Sequence, residues 1–354
     1  MAVKIEPKAI HDEMNAATFD EFGRMTANLG VEAVPANPGG QNINLMPYVF
    51  PPTEVIDATN LPEGDINVTP IASGDDGTQI WKITHNGVDT HPIHFHLYDV
   101  QVLDRVTWDN IIIPPDANEL GWKDTVRISP LEDTIVVLRP IIPSLPFEVP
   151  NSIRELSPMM PEWSGMGSGV NTASIGDLGV FGSATVSDQL ALGIPPSAPN
   201  GEPIDVLNHL VNFGWEYVFH CHILSHEEMD MMRPVLVALP PKVPSGLAFD
   251  PATMTLTWID DSITETAFVV QKSSDGGVTW MDLYTVTRLL TDPNTAGEML
   301  SFIDPTWVSG DQYRVLAQNT VGDTWDYANA GNEIASGGFP TVTATSVSAV
   351  VTTP

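Results

Sequence analysis

The sequence predicts an all-β chain folded as two consecutive β-sandwiches. Glycine and proline are frequent, 27 and 31 among 354 residues, and they punctuate many short runs of Val, Ile and Thr. That pattern reads as short strands joined by turns. The stretch PPKVPSG at 240–246 separates two different strand patterns and reads as a linker. With 42% hydrophobic and 17% charged residues, the chain has the composition of a globular protein and the length for two domains.

The elements follow in order. Over residues 8–29, Ile10, Met14, Phe22, Met25 and Leu29 recur at roughly helical spacing, which predicts a short surface helix ended by Gly30. Residues 31–64 are rich in Pro, Gly and Asn and read as a long surface connection. Strand patterning begins near residue 79, with Asn86-Gly87 as a hairpin-type turn signal. Residues 124–142 offer two more strands, and 143–205 read as mostly loop. Residues 210–239 give a strand, a loop and a strand. The first unit, 1–240, is thus expected as a Greek-key sandwich with a boundary near Pro240–Ser245, and the part ending at Leu239 is expected to fold alone. Beyond the linker, two strand runs lead to an Asp275-Gly276-Gly277 turn, and the tail TVTATSVSAVVTTP reads as a last strand or the start of a linker.

Two short segments concentrate the chemistry. HPIHFH (91–96) and HCHILSHEEMDM (220–231) hold six of the nine histidines and the single cysteine, Cys221. One Cys between two His, a third His four residues beyond the second, and Met231 ten residues after the Cys form a specific arrangement. It resembles the last copper-binding stretch of the multicopper oxidases, laccases of the bacterial spore-coat type in particular. HPIHFH resembles the other half of the same site. The resemblance covers about residues 5–240 and implies a C-terminal cupredoxin domain with copper as cofactor. Residues 241–354 resemble a fibronectin type III domain, carried by Pro244, Trp258, Phe268, Val270 and YRVLAQN (313–319). Trp258 and Tyr313 read there as core residues.

A blue copper site takes one thiolate, two imidazoles and a long axial thioether. The resemblance matches His91, Cys221, His226 and Met231 to these type 1 ligands, with Met229 and Met232 as rival thioethers. It matches His94 to a type 2 ligand and His96, His220 and His222 to type 3 ligands. Strand geometry gives the spacing a second meaning. Neighbours on an extended strand face opposite ways, so Cys221 faces one side while His220 and His222 face the other. The same alternation sets His94 and His96 on one face. Zinc suits a Cys/His set but has no use for the Met or for this alternation.

The family's trinuclear cluster, where O2 becomes water, takes eight histidines in four HxH pairs. Here there are two pairs, and His11, His85 and His209 form no third. The resemblance therefore implies that an N-terminal cupredoxin domain on a longer or separate chain, or a second copy of this chain, completes the cluster. Phenols are the default electron donors, and metal ions such as Mn(II) or Fe(II) are the alternative. Glu227, Glu228 and Asp230 flank the type 1 ligands and supply oxygens suited to such cations. The competing reading is a single-copper electron-transfer or adhesion module.

Net charge is −31, which argues against nucleic acid or anionic membrane as partners. No apolar run is long enough for a transmembrane helix. The first residues lack the apolar core of a signal peptide. An extracellular, periplasmic or cell-surface location is therefore implied only by the family resemblance. One cysteine permits no disulfide within the chain.

Overall fold

The structure is a computed structural model. It describes residues 5–12, 27–33, 42–45, 52–59, 76–155, 210–228, 231–287, 295–322, 325–326, 332–333 and 340–354, and every structural statement concerns these. They are almost entirely β. None of their helices is long and apolar enough to cross a membrane.

In chain order the first sandwich contains β1 (Ile5–His11), β2 (Asn28–Ala33), β3 (Asn42–Leu45), β4 (Glu54–Asp57), β5 (Gln79–His85), β6 (His91–Phe95), β7 (Tyr98–Thr107), β8 (Ile112–Ile113), β9 (Thr125–Ile128) and β10 (Glu132–Pro140). After β11 (Ile153–Glu155) and β12 (Leu210–Asn212) come β13 (Trp215–Cys221), the one-turn helix α1 (Leu224–Glu228) and β14 (Met232–Ala238). One sheet runs β3-β2-β1-β5-β10-β7-β8 and the other β4-β14-β13-β6-β9. Both are mixed, since β1 lies parallel to β5 and β4 parallel to β14. The core sits between them. Trp81 of one sheet is fully buried, with its ring 5.0 Å from Phe219 and 5.7 Å from Phe95 of the other. Lys8 and Glu54 form a buried ion pair joining the two sheets, with the Lys8 Nζ 4.6 Å from the Trp81 ring.

The helix expected over 8–29 is not found where its ends are described, because residues 5–11 and 28–33 are strands. Ile10 and Leu29 do share a contact, but as partners across an antiparallel ladder, both buried. Gly30 lies inside β2, opposite Ala9, and ends nothing. Met14, Phe22 and Met25 lie outside the described residues. The connection expected over 31–64 contributes β3 and β4, and β4 docks on β14 through tertiary pairing that local composition does not encode. The segment at Asn86-Gly87 is no hairpin turn, since β5 and β6 belong to different sheets.

The second sandwich contains β15 (Ser245–Asp250), β16 (Thr255–Ile259), β17 (Ala267–Ser273), β18 (Met281–Thr287), β19 (Met299–Ile303), β20 (Gln312–Gly322), β23 (Thr341–Val347) and β24 (Val351–Thr352); two short strands, β21 (Trp325–Asp326) and β22 (Asn332–Glu333), pair with each other. Sheet β15-β16-β19 faces the sheet built on β20, β17 and β18, with Trp258, Phe268, Val270 and Tyr313 fully buried between them. The tail beyond residue 340 forms two strands on β20. Gly276 and Gly277 take φ of 76° and 87°, as the turn there requires.

The two sandwiches share a sheet. β11 and β12 continue the β20 sheet, with Asn212 opposite Gly322. A separate apolar cluster joins Val211, Phe213, Leu236 and Ala238 of the first unit to Val321 and Ala344 of the second. Asn212 and Asn319 are both buried, and the Asn212 amide donates to the Asn319 side-chain oxygen at 3.1 Å. The Asn319 amide donates to the Leu239 carbonyl at 3.1 Å. Gly214 (φ 57°) allows the chain to turn from β12 into β13, because a Cβ there would lie 2.4 Å from the Val237 carbonyl oxygen and 2.9 Å from Val321.

Two predictions follow from this packing. Ending the chain at Leu239 uncovers Val211, Phe213 and Leu236, at roughly 1.5–3 kcal/mol each, against about 5–15 kcal/mol for a whole domain. Contrary to the expectation from sequence, residues 1–239 should therefore aggregate or melt far below the full chain, as read by light scattering and circular dichroism. Soluble, cooperatively folding 1–239 would contradict the shared core. The second concerns Asp304, which is buried beside Lys272 at 3.0 Å and accepts from the Tyr313 hydroxyl at 2.6 Å. Burial works against its charge, but donors from Thr306, Tyr313 and Lys272 outweigh it and hold its pKa at about 2 instead of 3.8. A depressed folded pKa stabilises above the unfolded value, and that stability is lost as pH falls from about 4 through about 2. Asp304→Asn should cost about 2 kcal/mol at neutral pH and flatten stability across that acid window in denaturant titrations.

Candidate metal centre

The local pairing of β6 with β13 builds the site. Phe219 lies opposite Phe95, His220 opposite His94 and Cys221 opposite Ile93. Alternate residues on these strands share a face. Phe219, Cys221, His91, Ile93 and Phe95 therefore turn into the core and are all buried, while half-buried His94 and the buried His220 ring turn to the opposite face. Beyond Cys221 the chain makes α1, which brings His226 back beneath the thiol. The Met231 N–H donates to the His226 carbonyl at 2.9 Å, and the Cys221 N–H donates to the Met231 carbonyl at 3.1 Å. Those two bonds close the loop.

Inside, the donor atoms of His91, Cys221 and His226 all lie within 4.8 Å of one another. The Cys221 Sγ is 3.5 Å from His91 Nδ1 and 3.7 Å from His226 Nδ1. All three are fully buried, as is Met231 in the same core cluster. Burial pushes the Cys221 thiol up to about 11 and draws His91 down to about 4. The imidazole is thus neutral, the form that ligates, and the thiol waits for a cation to replace its proton. Three soft or borderline donors with a thioether in the same cluster fit copper by the chemistry of the set.

Outside, four imidazoles gather. Ring centroids are 4.9 Å apart for His94 and His96, 5.6 Å for His94 and His220, 5.1 Å for His94 and His222, and 4.7 Å for His220 and His222. Donor atoms of His94, His220 and His222 fall within one 4.8 Å group, and the His96 ring lies 5.3 Å from that of His220. The His94 Nδ1–H donates to the Asp124 carbonyl at 2.9 Å, and the His220 Nδ1–H to the Cys221 carbonyl at 3.1 Å. Each keeps its Nε2 lone pair free. Desolvation, followed by the neighbouring rings for His96, lowers the pKa of His96 and His220. His222 is exposed, and its Nδ1 lies 3.4 Å from Glu227 Oε2.

Seven of the eight residues singled out by sequence fall into these two groups, back to back across β13, and Met231 is buried in the same core and bonded through its backbone to Cys221 and His226. Some surroundings differ from expectation. His226 is fully buried, so no substrate touches its ring directly. Glu227 faces the outer histidines, not the thiol group. Met229, Asp230 and His209 lie outside the described residues, and His85 is buried. An open cleft of about 520 Å³ runs beside His96, Val149, Trp215 and Tyr217. Sequence reasoning missed Asp12, whose carboxylate reaches His91, and Asp124, which orients His94. Both act through folded contacts that spacing does not reveal.

The family model described as "Multicopper oxidase" matches residues 41–143 and 200–240, which include all eight of these residues. The laccase of Bacillus subtilis (strain 168) is 24% identical over 178 residues, 47% of this chain and 21% of its own length. The laccase of Haloferax volcanii is 46% identical over 55 residues, 16% of this chain and 9% of its own. The laccase of Bacillus stratosphericus is 23% identical over 170 residues, 44% of this chain and 20% of its own. Among solved structures, the McoA multicopper oxidase of Aquifex aeolicus aligns with 67% of this chain and 29% of its own at 16% identity, with a TM-score of 0.29 that is too low to bear on the fold. The chain thus matches about a fifth of the length of the two Bacillus laccases. Over these segments the chain is similar to the multicopper oxidases, the Bacillus laccases among them.

Proposed function

We propose that this chain is the electron-accepting part of a laccase-like copper oxidase, with residues 1–240 as its C-terminal cupredoxin domain. The observation that carries the reading is the alternation along β13, which sets a buried thiol–imidazole group and an open four-imidazole group on opposite sides of one strand. His91, Cys221, His226 and Met231 would hold one copper, and His94, His96, His220 and His222 would hold half of a cluster. Copper bound there would supply one-electron transfer at the first group and, once the cluster is completed, reduction of O2 to water at the second. The chain's own part is connection and shielding. Peptide bonds link Cys221 directly to His220 and His222, so the two groups are covalently joined. The surrounding core keeps water from the thiol. Glu227, half-buried beside His222, is placed to hand protons from solvent to the outer face. Reduction of O2 consumes four protons, so such a carrier is required.

Phenols or metal ions are the electron donors in this reading. Since His226 is buried, their electrons enter through the side chains over α1, and the exposed Glu228 there offers an oxygen to a cation. The outer face is open, with His222 exposed and His94 and His96 half-buried, which suits completion by an N-terminal cupredoxin domain on a longer or separate chain, or by a second copy. Residues 241–354 act as a fibronectin type III-like accessory domain. An extracellular, periplasmic or cell-surface location accompanies this reading. The presence of only two HxH pairs favours one second reading, a single-copper electron-transfer or adhesion module.

Two experiments test it. The copper-loaded chain should show an intense visible thiolate-to-copper band, and Cys221→Ser should remove it with the circular dichroism unchanged. A band of equal strength in the variant would exclude Cys221. Metal analysis of a verified monomer should give about one tightly held copper and no O2 uptake with phenols or Fe(II). Four coppers and full O2 reduction by that monomer would refute the half-cluster.

A further inference from the structure

We infer that the Asp12 carboxylate, carried at the end of β1, is a positioning residue for the Cys221 site: it fixes the His91 ring with Nδ1 toward the thiol and holds a negative charge one ring away that favours Cu(II) over Cu(I). This rests on the copper reading of the Cys221 group.

The geometry is built, not incidental. Asp12 is 0% exposed, although it lies 79 residues from His91 in sequence. Its Oδ2 stands 3.2 Å from His91 Nε2. It also accepts from the Val88 N–H at 2.8 Å and the Asp89 N–H at 3.1 Å. Three N–H groups thus converge on one buried carboxylate. The same ring presents Nδ1 to Cys221 Sγ at 3.5 Å, so turning it over would forfeit both contacts. A carboxylate on the far nitrogen of a metal-binding imidazole fixes its tautomer and raises its basicity.

A second observation is independent. A Cβ added at Gly87 would lie 1.9 Å from Asp12 Oδ1. Gly87 has no left-handed φ among the described residues, so its smallness serves the carboxylate and not a turn. A rival use of the same side chains is a second metal held by Asp12, His85 and His91, whose donor atoms lie within 4.8 Å. His85 argues against it. Its Nε2 lies 2.6 Å from the Asp89 carbonyl, to which it donates, and its Nδ1 accepts the Gly87 N–H at 3.3 Å. Both ring nitrogens are already engaged.

The test compares copper-loaded wild type with Asp12→Asn, which keeps an acceptor oxygen and removes the charge. The variant should remain blue. Its Cu(II) dissociation constant should rise roughly 10–100-fold, while Cu(I), measured by chelator competition, changes by less. Each tenfold selective loss of Cu(II) reads as about a 59 mV rise in reduction potential for a one-electron couple. The copper hyperfine splitting in the EPR spectrum should shift with it. A purely structural role would lower the melting temperature and leave potential and spectrum unmoved, and that result would overturn the inference. If Asp12→Asn does not fold, Gly87→Ala decides, because its Cβ displaces the carboxylate without deleting it. A raised potential there supports the inference, and a wild-type potential overturns it. A wild type that never turns blue on copper loading overturns the copper reading and this inference together, whereas a blue wild type with unmoved variants overturns this inference alone.

Discussion

The pairing of His220 with His94 across β13 and β6 is the constraint on which the chemistry of this molecule rests. Because side chains alternate along a strand, that one register sends Cys221 inward and its two neighbours outward. A slip of one residue would exchange the faces of the thiol and its two neighbouring imidazoles. The register is held from behind by the Trp81, Phe95 and Phe219 cluster, and from the side by β9, where His94 lies opposite Thr125. Hydrophobic packing and metal chemistry therefore demand the same alignment. That agreement between levels is what makes a fold well specified.

The two groups also differ in how their rings are turned. In the buried group the Nδ1 atoms of His91 and His226 face the thiol. In the open group the Nδ1 atoms of His94 and His220 face backbone carbonyls, which leaves Nε2 outward. Nothing in the spacing of the motifs dictates this. It follows from which carbonyls the folded strands bring alongside each ring. The longer reach of Nε2 on the open side lets those imidazoles meet at a point farther from the backbone.

Much of the site was legible in the sequence because its information is local. HCH, the following His and Met231 lie within twelve residues, and strand alternation converts their order directly into faces. The all-β character was legible for a similar reason, since glycine, proline and β-branched runs act over a few residues. What was hidden depends on distant partners. Ile10 and Leu29 looked like one helix face and are instead rungs of a ladder. Asp12 sat inside that same misread stretch. The burial of His226 and the sharing of a sheet by the two sandwiches depend on surfaces that meet only in the folded chain.

The turn at Gly214 has a bearing on inheritance. It lies where β12, bound to the second sandwich, becomes β13, which runs to Cys221 within seven residues. A recombination event that exchanged the second sandwich for an unrelated module would have to reproduce the complement to Val211, Phe213, Leu236 and Ala238 at once. Such a lineage can vary its loops freely, but it cannot trade this half as a bead on a string. The two sandwiches should therefore descend together, with substitutions at Val321 and Ala344 tracking those at Phe213 and Leu236 among their descendants.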